Sequence, residues 1–231
     1  MSYDLKDLAP SVRAYINRAS LPMKSIGLEL SDLDPYEGSV IEGVQKWISL
    51  VNSGKVIKAQ GEQTCGMGLL LVGNPGHGKT TLASTALQEL LRGIPRDVIG
   101  TPERFPIRPG YFTDYPRFLR LQKRQWDPDA DETEASLVEG LYGDAPDHLN
   151  VKILVLDDLG KEYRTASGWA ENTFDALLRA RFNAGLPTII TTNYSLDKWD
   201  DMYGESMGSF GHEAFVPINV VSEKGDRRRW A

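Results

Sequence analysis

"LLLVGNPGHGKTT", Leu69 to Thr81, is the stretch on which the fold turns. Its first four residues form an unbroken apolar run, as expected of a strand covered by helices on both faces. Beyond it, Leu82, Ala86, Leu87, Leu90 and Leu91 make a helical stripe that stops at Gly93. Between strand and helix lies the pattern G-x-x-x-x-G-K-[ST], met by Gly73, Gly78, Lys79 and Thr80. Glycines at these places let backbone N–H groups turn inward around phosphate oxygens, and the following helix adds the positive end of its dipole. The segment Gly73, Asn74, Pro75, Gly76, His77, Gly78, Lys79, Thr80 and Thr81 is therefore predicted to hold a triphosphate. Lys79 is expected to reach the β and γ phosphates, and the Thr80 hydroxyl to ligate Mg²⁺. His77 takes a variable place in the loop, where an exposed turn residue without a role is expected.

Working outward, two more apolar runs read as neighbouring strands. "VKILVLDDLG" ends on Asp157 and Asp158, and ligands of parallel sheets bind at the carboxyl ends of the strands. Asp157 is the candidate partner of Mg²⁺, and Asp158 the candidate for orienting or polarising an attacking water. Two adjacent carboxylates at a buried strand end are costly without a cation nearby. "LPTIITTN" ends on Asn193, whose amide suits a γ-phosphate or a lytic water as well as it suits a plain turn.

A chain of 231 residues is long enough for one well-buried α/β core with small appendages. Its net charge of −6 argues against non-specific coating of nucleic acid, so any such contact must come from a local basic patch. Cys65 is the sole cysteine, which leaves no intrachain disulfide and reads as a small half-buried residue ahead of the first strand. No apolar run reaches the roughly 20 residues of a membrane span, and "MSYDLKDLAPSVRAY" lacks the apolar centre of a signal peptide. A soluble cytoplasmic protein without membrane contact is expected.

The remaining segments alternate helix and strand. "SYDLKDLAPSVRAYINRAS" has helical spacing at Val12, Tyr15 and Ile16, and "IEGVQKWISLVNSGK" puts Ile41, Val44, Trp47, Ile48 and Val51 on one face. "IPRDVIGTPERFPIRPG" reads as a long connection into a strand, "GYFT", and a helix, "YPRFLRLQKRQW", with Asp114 as N-cap. "SLVEGLYG" and "SGWAENTFDALLRARFNAG" read as helices, and from Tyr194 onward one strand, "FVPINVV", precedes a basic end, "KGDRRRW". "DPDADETEASLV" begins like a calcium loop with Asp127, Asp129 and Asp131, but Glu132 replaces the required glycine and Val138 the bidentate acid. It reads as an acidic loop.

"GNPGHGKTT", "ILVLDDLGKE" and "LPTIITTN", in this order and spacing, resemble the AAA+ ATPases of the DnaC/IstB type, the helicase loaders and transposition helpers. The likeness runs from about Ser20 to the end, with residues 1–19 as a short helical arm and 20–231 as the ATPase domain. "DDLG" followed by Glu162 is more specific to this group than the phosphate loop. The resemblance implies a P-loop NTPase fold: a five-stranded parallel sheet with helices on both faces and little or no C-terminal lid. It implies ATP and Mg²⁺ as ligands, Asp157 at the metal, Asp158 as catalytic acid position, Asn193 as first sensor and Arg228, flanked by Arg227 and Arg229, as second sensor. It further implies a replicative hexameric helicase and single-stranded DNA as partners, ATP-dependent self-association, and a bacterial or phage-infected cell. In the family an arginine finger follows the first sensor, whereas the matching "YGESMGSFGHEAF" contains no arginine. Arg179 and Arg181 are the substitutes considered.

Arg117, Arg120 and Arg124 fall at i, i+3 and i+7 of "YPRFLRLQKRQW" and make one helix face basic. With Tyr111, Tyr115 and Trp126 nearby, this is the composition of a strand-binding groove, and equally that of a solvated face beside an acidic loop. Rival readings are a transposition helper acting on duplex DNA, a nucleoside or metabolite kinase sharing only the phosphate loop, and an ATP-gated adaptor without turnover. No N-K-x-D signature for guanine follows the second acid.

Overall fold

A computed structural model describes residues 2–58, 64–100, 105–124, 132–160 and 168–226. In chain order the elements are α1 (Pro10–Arg18), α2 (Val40–Asn52), β1 (Gly68–Val72), α3 (Lys79–Gly93), α4 (Arg96–Ile99), β2 (Gly110–Asp114) and α5 (Tyr115–Arg124). There follow α6 (Glu132–Tyr142), β3 (Ile153–Leu159), α7 (Trp169–Asn183), β4 (Thr188–Thr192), α8 (Trp199–Tyr203), α9 (Glu205–Ala214) and β5 (Phe215–Asn219). The strands form one five-stranded sheet in the order β2-β3-β4-β1-β5, every pair parallel. The expected architecture is borne out.

Strand pleating divides the apolar runs between two layers. Leu69 and Leu71 face a core shared with α1, α2 and α3, while Leu70, Leu154, Leu156 and Ile190 face one shared with α5, α7 and α9. Both faces are covered, which is why these strands show no polar alternation.

α4 falls within the stretch read as a long connection, and α6 begins at Glu132, inside the stretch read as an acidic loop. Two further features depart from the sequence reading. The segment after Tyr194 folds into α8 and α9 before β5, with Trp199 fully buried and Met207 and Phe210 beneath the surface. α8 has only five residues and α9 contains two glycines, so propensity hides them. A Cβ on Gly211 would lie 3.0 Å from the Trp199 ring, so glycine is what lets the two pieces meet. The second departure is Arg181, considered above as a finger. It is 0% exposed, and its guanidinium donates to Thr188 Oγ1 (2.8 Å) and to the carbonyls of Leu141 (2.7 Å), Val151 (3.1 Å), Lys152 (3.2 Å) and Pro187 (3.0 Å). Burial lowers its pKa to about 9. This arginine ties α6, α7 and the starts of β3 and β4 together and cannot reach a neighbour's nucleotide.

Candidate functional site

The loop between β1 and α3 emerges beside the carboxyl ends of β3 and β4. Gly76 (φ +85°) and Gly78 (φ +83°) sit in the left-handed region, which only glycine enters without strain. Lys79, the first residue of α3, is 7% exposed and donates through Nζ to Gly73 O (2.7 Å), Asn74 O (3.0 Å) and Asn193 Oδ1 (2.9 Å). Thr80 Oγ1 lies 3.1 Å from both carboxylate oxygens of Asp157. The structure thus brings Lys79, Thr80, Asp157 and Asn193 together from three segments.

Asp158 joins them through a residue that the sequence reading passed over. β3 and β4 shift register between Leu156 and Leu159, and within this bulge Asp158 takes φ +59°. Thr191 holds the irregularity: its hydroxyl donates to Asp157 Oδ1 (2.5 Å) and accepts from the Asp158 N–H (3.0 Å). Asp157 stays 5% exposed while Asp158 turns partly outward. The only signal for Thr191 was a hydroxyl in the apolar run of "TIITTN", which on an interior strand needs a polar partner. Thr192 similarly donates to Leu159 O (3.0 Å) and accepts from the Tyr194 N–H (3.2 Å), fixing the turn that carries Asn193.

His77 is not the idle exposed residue expected. It is half-buried, and its Nδ1 accepts from the Ser222 N–H (3.0 Å), linking the loop to the segment after β5. That segment bridges to Tyr36, whose hydroxyl donates to Gly78 O (3.4 Å). A Cβ on Gly76 would collide with the Asp226 carboxylate, so the chain just before the arginine cluster lies on the phosphate loop. Arg227, Arg228, Arg229, Glu162, Trp126 and residues 127–131 of the acidic stretch lie outside the described residues. Asn74 and Pro75 are exposed, and a cavity of about 310 Å³ opens among Gly73, Asn74, His77, Asn193, Lys198 and Asn219.

The donor set suits Mg²⁺. A threonine hydroxyl and one carboxylate are hard oxygen donors, and this ion is usually held by one or two protein oxygens together with substrate phosphates. Among the described residues no group of three or more His, Cys, Asp or Glu makes a metal site of its own.

The basic helix starts at the end of β2, the edge strand beside β3, where Asp114 is paired with Asp157. Asp114 caps α5 as expected, accepting from the Arg117 N–H (2.8 Å), and Phe118 is buried beneath it. Arg117, Arg120 and Arg124 are exposed, with Arg117 bonded to Ser20 Oγ (3.3 Å) and Arg124 paired with Glu134 (3.0 Å). Tyr111 and Tyr115 are 4% and 0% exposed, so neither offers a ring to a base. Arg179 lies across α9, bonded to Asp175 (2.7 Å) and Ser206 Oγ (3.1 Å) and stacked 4.5 Å above Phe210.

No protein-family description and no curated protein matches the sequence. Solved structures do match. A DnaC helicase loader superposes with a TM-score of 0.60 at 23% identity, over 86% of this chain and 99% of that one. DnaI follows at 0.59 and 20%, over 90% and 95% of the two chains. DnaA from Aquifex aeolicus with AMPPCP bound matches at 0.54 and 15%, over 90% of this chain and 53% of its own. The fold is that of the DnaC-type AAA+ proteins. On this AAA+ fold the loop after β1 and the ends of β3 and β4 form one site, while α5 and α6 fill the passage between β2 and β3. No helix among the described residues is long and apolar enough to cross a membrane.

Proposed function

We propose that the chain binds ATP with Mg²⁺, hydrolyses it slowly, and acts in DNA replication as a loader of a hexameric helicase, gripping single-stranded DNA when ATP is bound. We place the ATPase domain at residues 20–231, with 1–19 as its arm, in the cytoplasm of a bacterial or phage-infected cell. The observation that carries the proposal is the Lys79 ammonium, held by two loop carbonyls and Asn193 at the strand ends where Thr80 meets Asp157. Lys79 can exchange these acceptors for β and γ phosphate oxygens, a stronger charge-assisted contact. Asn193 is then freed toward the γ-phosphate or the attacking water. Thr80 and Asp157 would hold Mg²⁺, which neutralises charge between the β and γ phosphates when bound. Asp158, partly exposed at the bulge, accepts a hydrogen bond from the water and orients it. Arg228 would add positive charge from the end of the strap whose Asp226 touches Gly76. The likeness to DnaC and DnaI supports the replicative reading, as does a DnaA structure bound to AMPPCP and single-stranded DNA.

By linkage, ATP and single-stranded DNA must raise each other's affinity. Equal DNA affinity with and without ATP in an anisotropy titration would remove the switch from the proposal, and a preference for duplex would move it toward a transposition helper. One observation favours a second reading, an adaptor that binds ATP without turnover: α9 carries no arginine, Arg181 is buried and Arg179 is tied to Asp175. Tight ATP binding with no phosphate release, with or without DNA and at high protein concentration, decides for it.

A further inference from the structure

Four arginines from separate parts of the chain gather along α1. Arg96 Nη2 donates to Ser11 Oγ (3.3 Å) at its start, and Arg108 Nε to Arg18 O (3.1 Å) at its end. Arg18 itself reaches back to Ile107 O (3.3 Å), and Arg117 Nη1 donates to Ser20 Oγ (3.3 Å) just beyond. Arg18, Arg96 and Arg117 are exposed and Arg108 is half-exposed. Among the described residues none of the four pairs with a carboxylate; Asp114, next to Arg117, is occupied in capping α5. In a chain with a net charge of −6, four arginines gathered along one helix with no carboxylate partner among the described residues concentrate positive charge there, although Asp97 directly follows Arg96.

We propose that α1 bears a phosphodiester track, in which Arg18, Arg96, Arg108 and Arg117 bind successive phosphates of one nucleic-acid strand. This rests on the reading of the protein as one that binds DNA. Each guanidinium is bonded through a single nitrogen, which leaves further N–H groups for the two-pronged contact that phosphate accepts. Arg96 and Arg108 are also steadied over the rings of Phe105 (5.2 Å) and Tyr111 (5.3 Å). From Ser11 to Arg18 the helix rises about 10 Å, so Arg96 at its start stands apart from the three arginines at its end, a spread that fits a repeating polyanion better than one small anion. Arg117 belongs both to this row and to the face of α5, making the two surfaces continuous. That continuity favours a nucleic-acid strand over an acidic protein surface.

The experiment is a salt-dependent anisotropy titration of the full chain, with ATP and Mg²⁺, against fluorescein-labelled oligo(dT). In Arg18→Ala/Arg96→Ala the slope of log affinity against log salt should shrink by about 1.4, at about 0.7 for each lost phosphate contact. Arg18→Lys/Arg96→Lys should restore most of that slope, and equal melting temperatures confirm that both variants fold. A wild-type slope in the alanine variant, while Arg120→Ala reduces it, overturns the track and leaves DNA binding by α5 intact. No oligo(dT) binding by the wild-type chain overturns both. An unchanged slope with lost co-elution of a hexameric helicase also overturns the track and assigns α1 to a protein partner.

Discussion

Lys79 and Arg181 stand at opposite ends of the same parallel strands and do superficially the same thing. Each is a buried cation bonded to main-chain carbonyls: Lys79 where β1 and β4 end, Arg181 where β3 and β4 begin. Arg181 is fully enclosed and uses its fork on five oxygens, four of them carbonyls that no water can reach in its place. Lys79 retains some exposure, and its acceptors Gly73, Asn74 and Asn193 line a cavity of about 310 Å³. The difference lies in whether the partners can be exchanged. A cation whose acceptors are walled in is a rivet, and one whose acceptors open onto a cavity is a socket.

The comparison breaks first if Arg181→Leu is harmless. Leaving several buried carbonyls without a donor should cost about 3–5 kcal/mol in urea unfolding, whereas Lys79→Ala should change the stability of the nucleotide-free protein by less than about 1 kcal/mol. Similar losses in both would dissolve the distinction. Next, ATP at about 100 times its dissociation constant should stabilise the wild type by about 2.7 kcal/mol, seen as a melting shift of roughly 5–10 °C, and Lys79→Ala should show none. Chelating Mg²⁺ should shrink the wild-type shift. Thr191→Val tests what holds the carboxylates: losing one donor and one acceptor should cost about 1–2 kcal/mol and weaken Mg²⁺-dependent ATP binding. The smallest structural effect is expected for Asp158→Asn. Asparagine tolerates φ +59°, so stability should stay within about 0.5 kcal/mol while phosphate release falls, on the order of tenfold or more if Asp158 orients the water.

Much of the socket was legible in the linear chain and almost none of the rivet. The phosphate loop is local: Gly73 to Thr80 carries its own strand before and helix after, and both were read correctly. The acids at the end of β3 followed from an apolar run that closes on two charges. Arg181 looked like any other arginine of α7, because its five acceptors lie on α6, β4 and the segments leading into β3 and β4. Tyr111 and Tyr115 looked available for stacking until the packing of β2 and α5 buried them. The helices α8 and α9 escaped because five residues, and ten interrupted by two glycines, carry too little periodic signal.

The sequence by itself determined the strand–loop–helix unit, the presence of the three core strands, and the chemical types poised at their ends. These depend on local pattern, where apolar spacing and glycine set conformation within a few residues. Only the tertiary structure decided which cations are sockets and which are rivets, that Thr191 joins the two acids, and that arginines from three other segments join Arg18 along α1. Those outcomes depend on partners far apart in the chain, 114 residues in the case of Lys79 and Asn193, which strand order alone brings within a hydrogen bond.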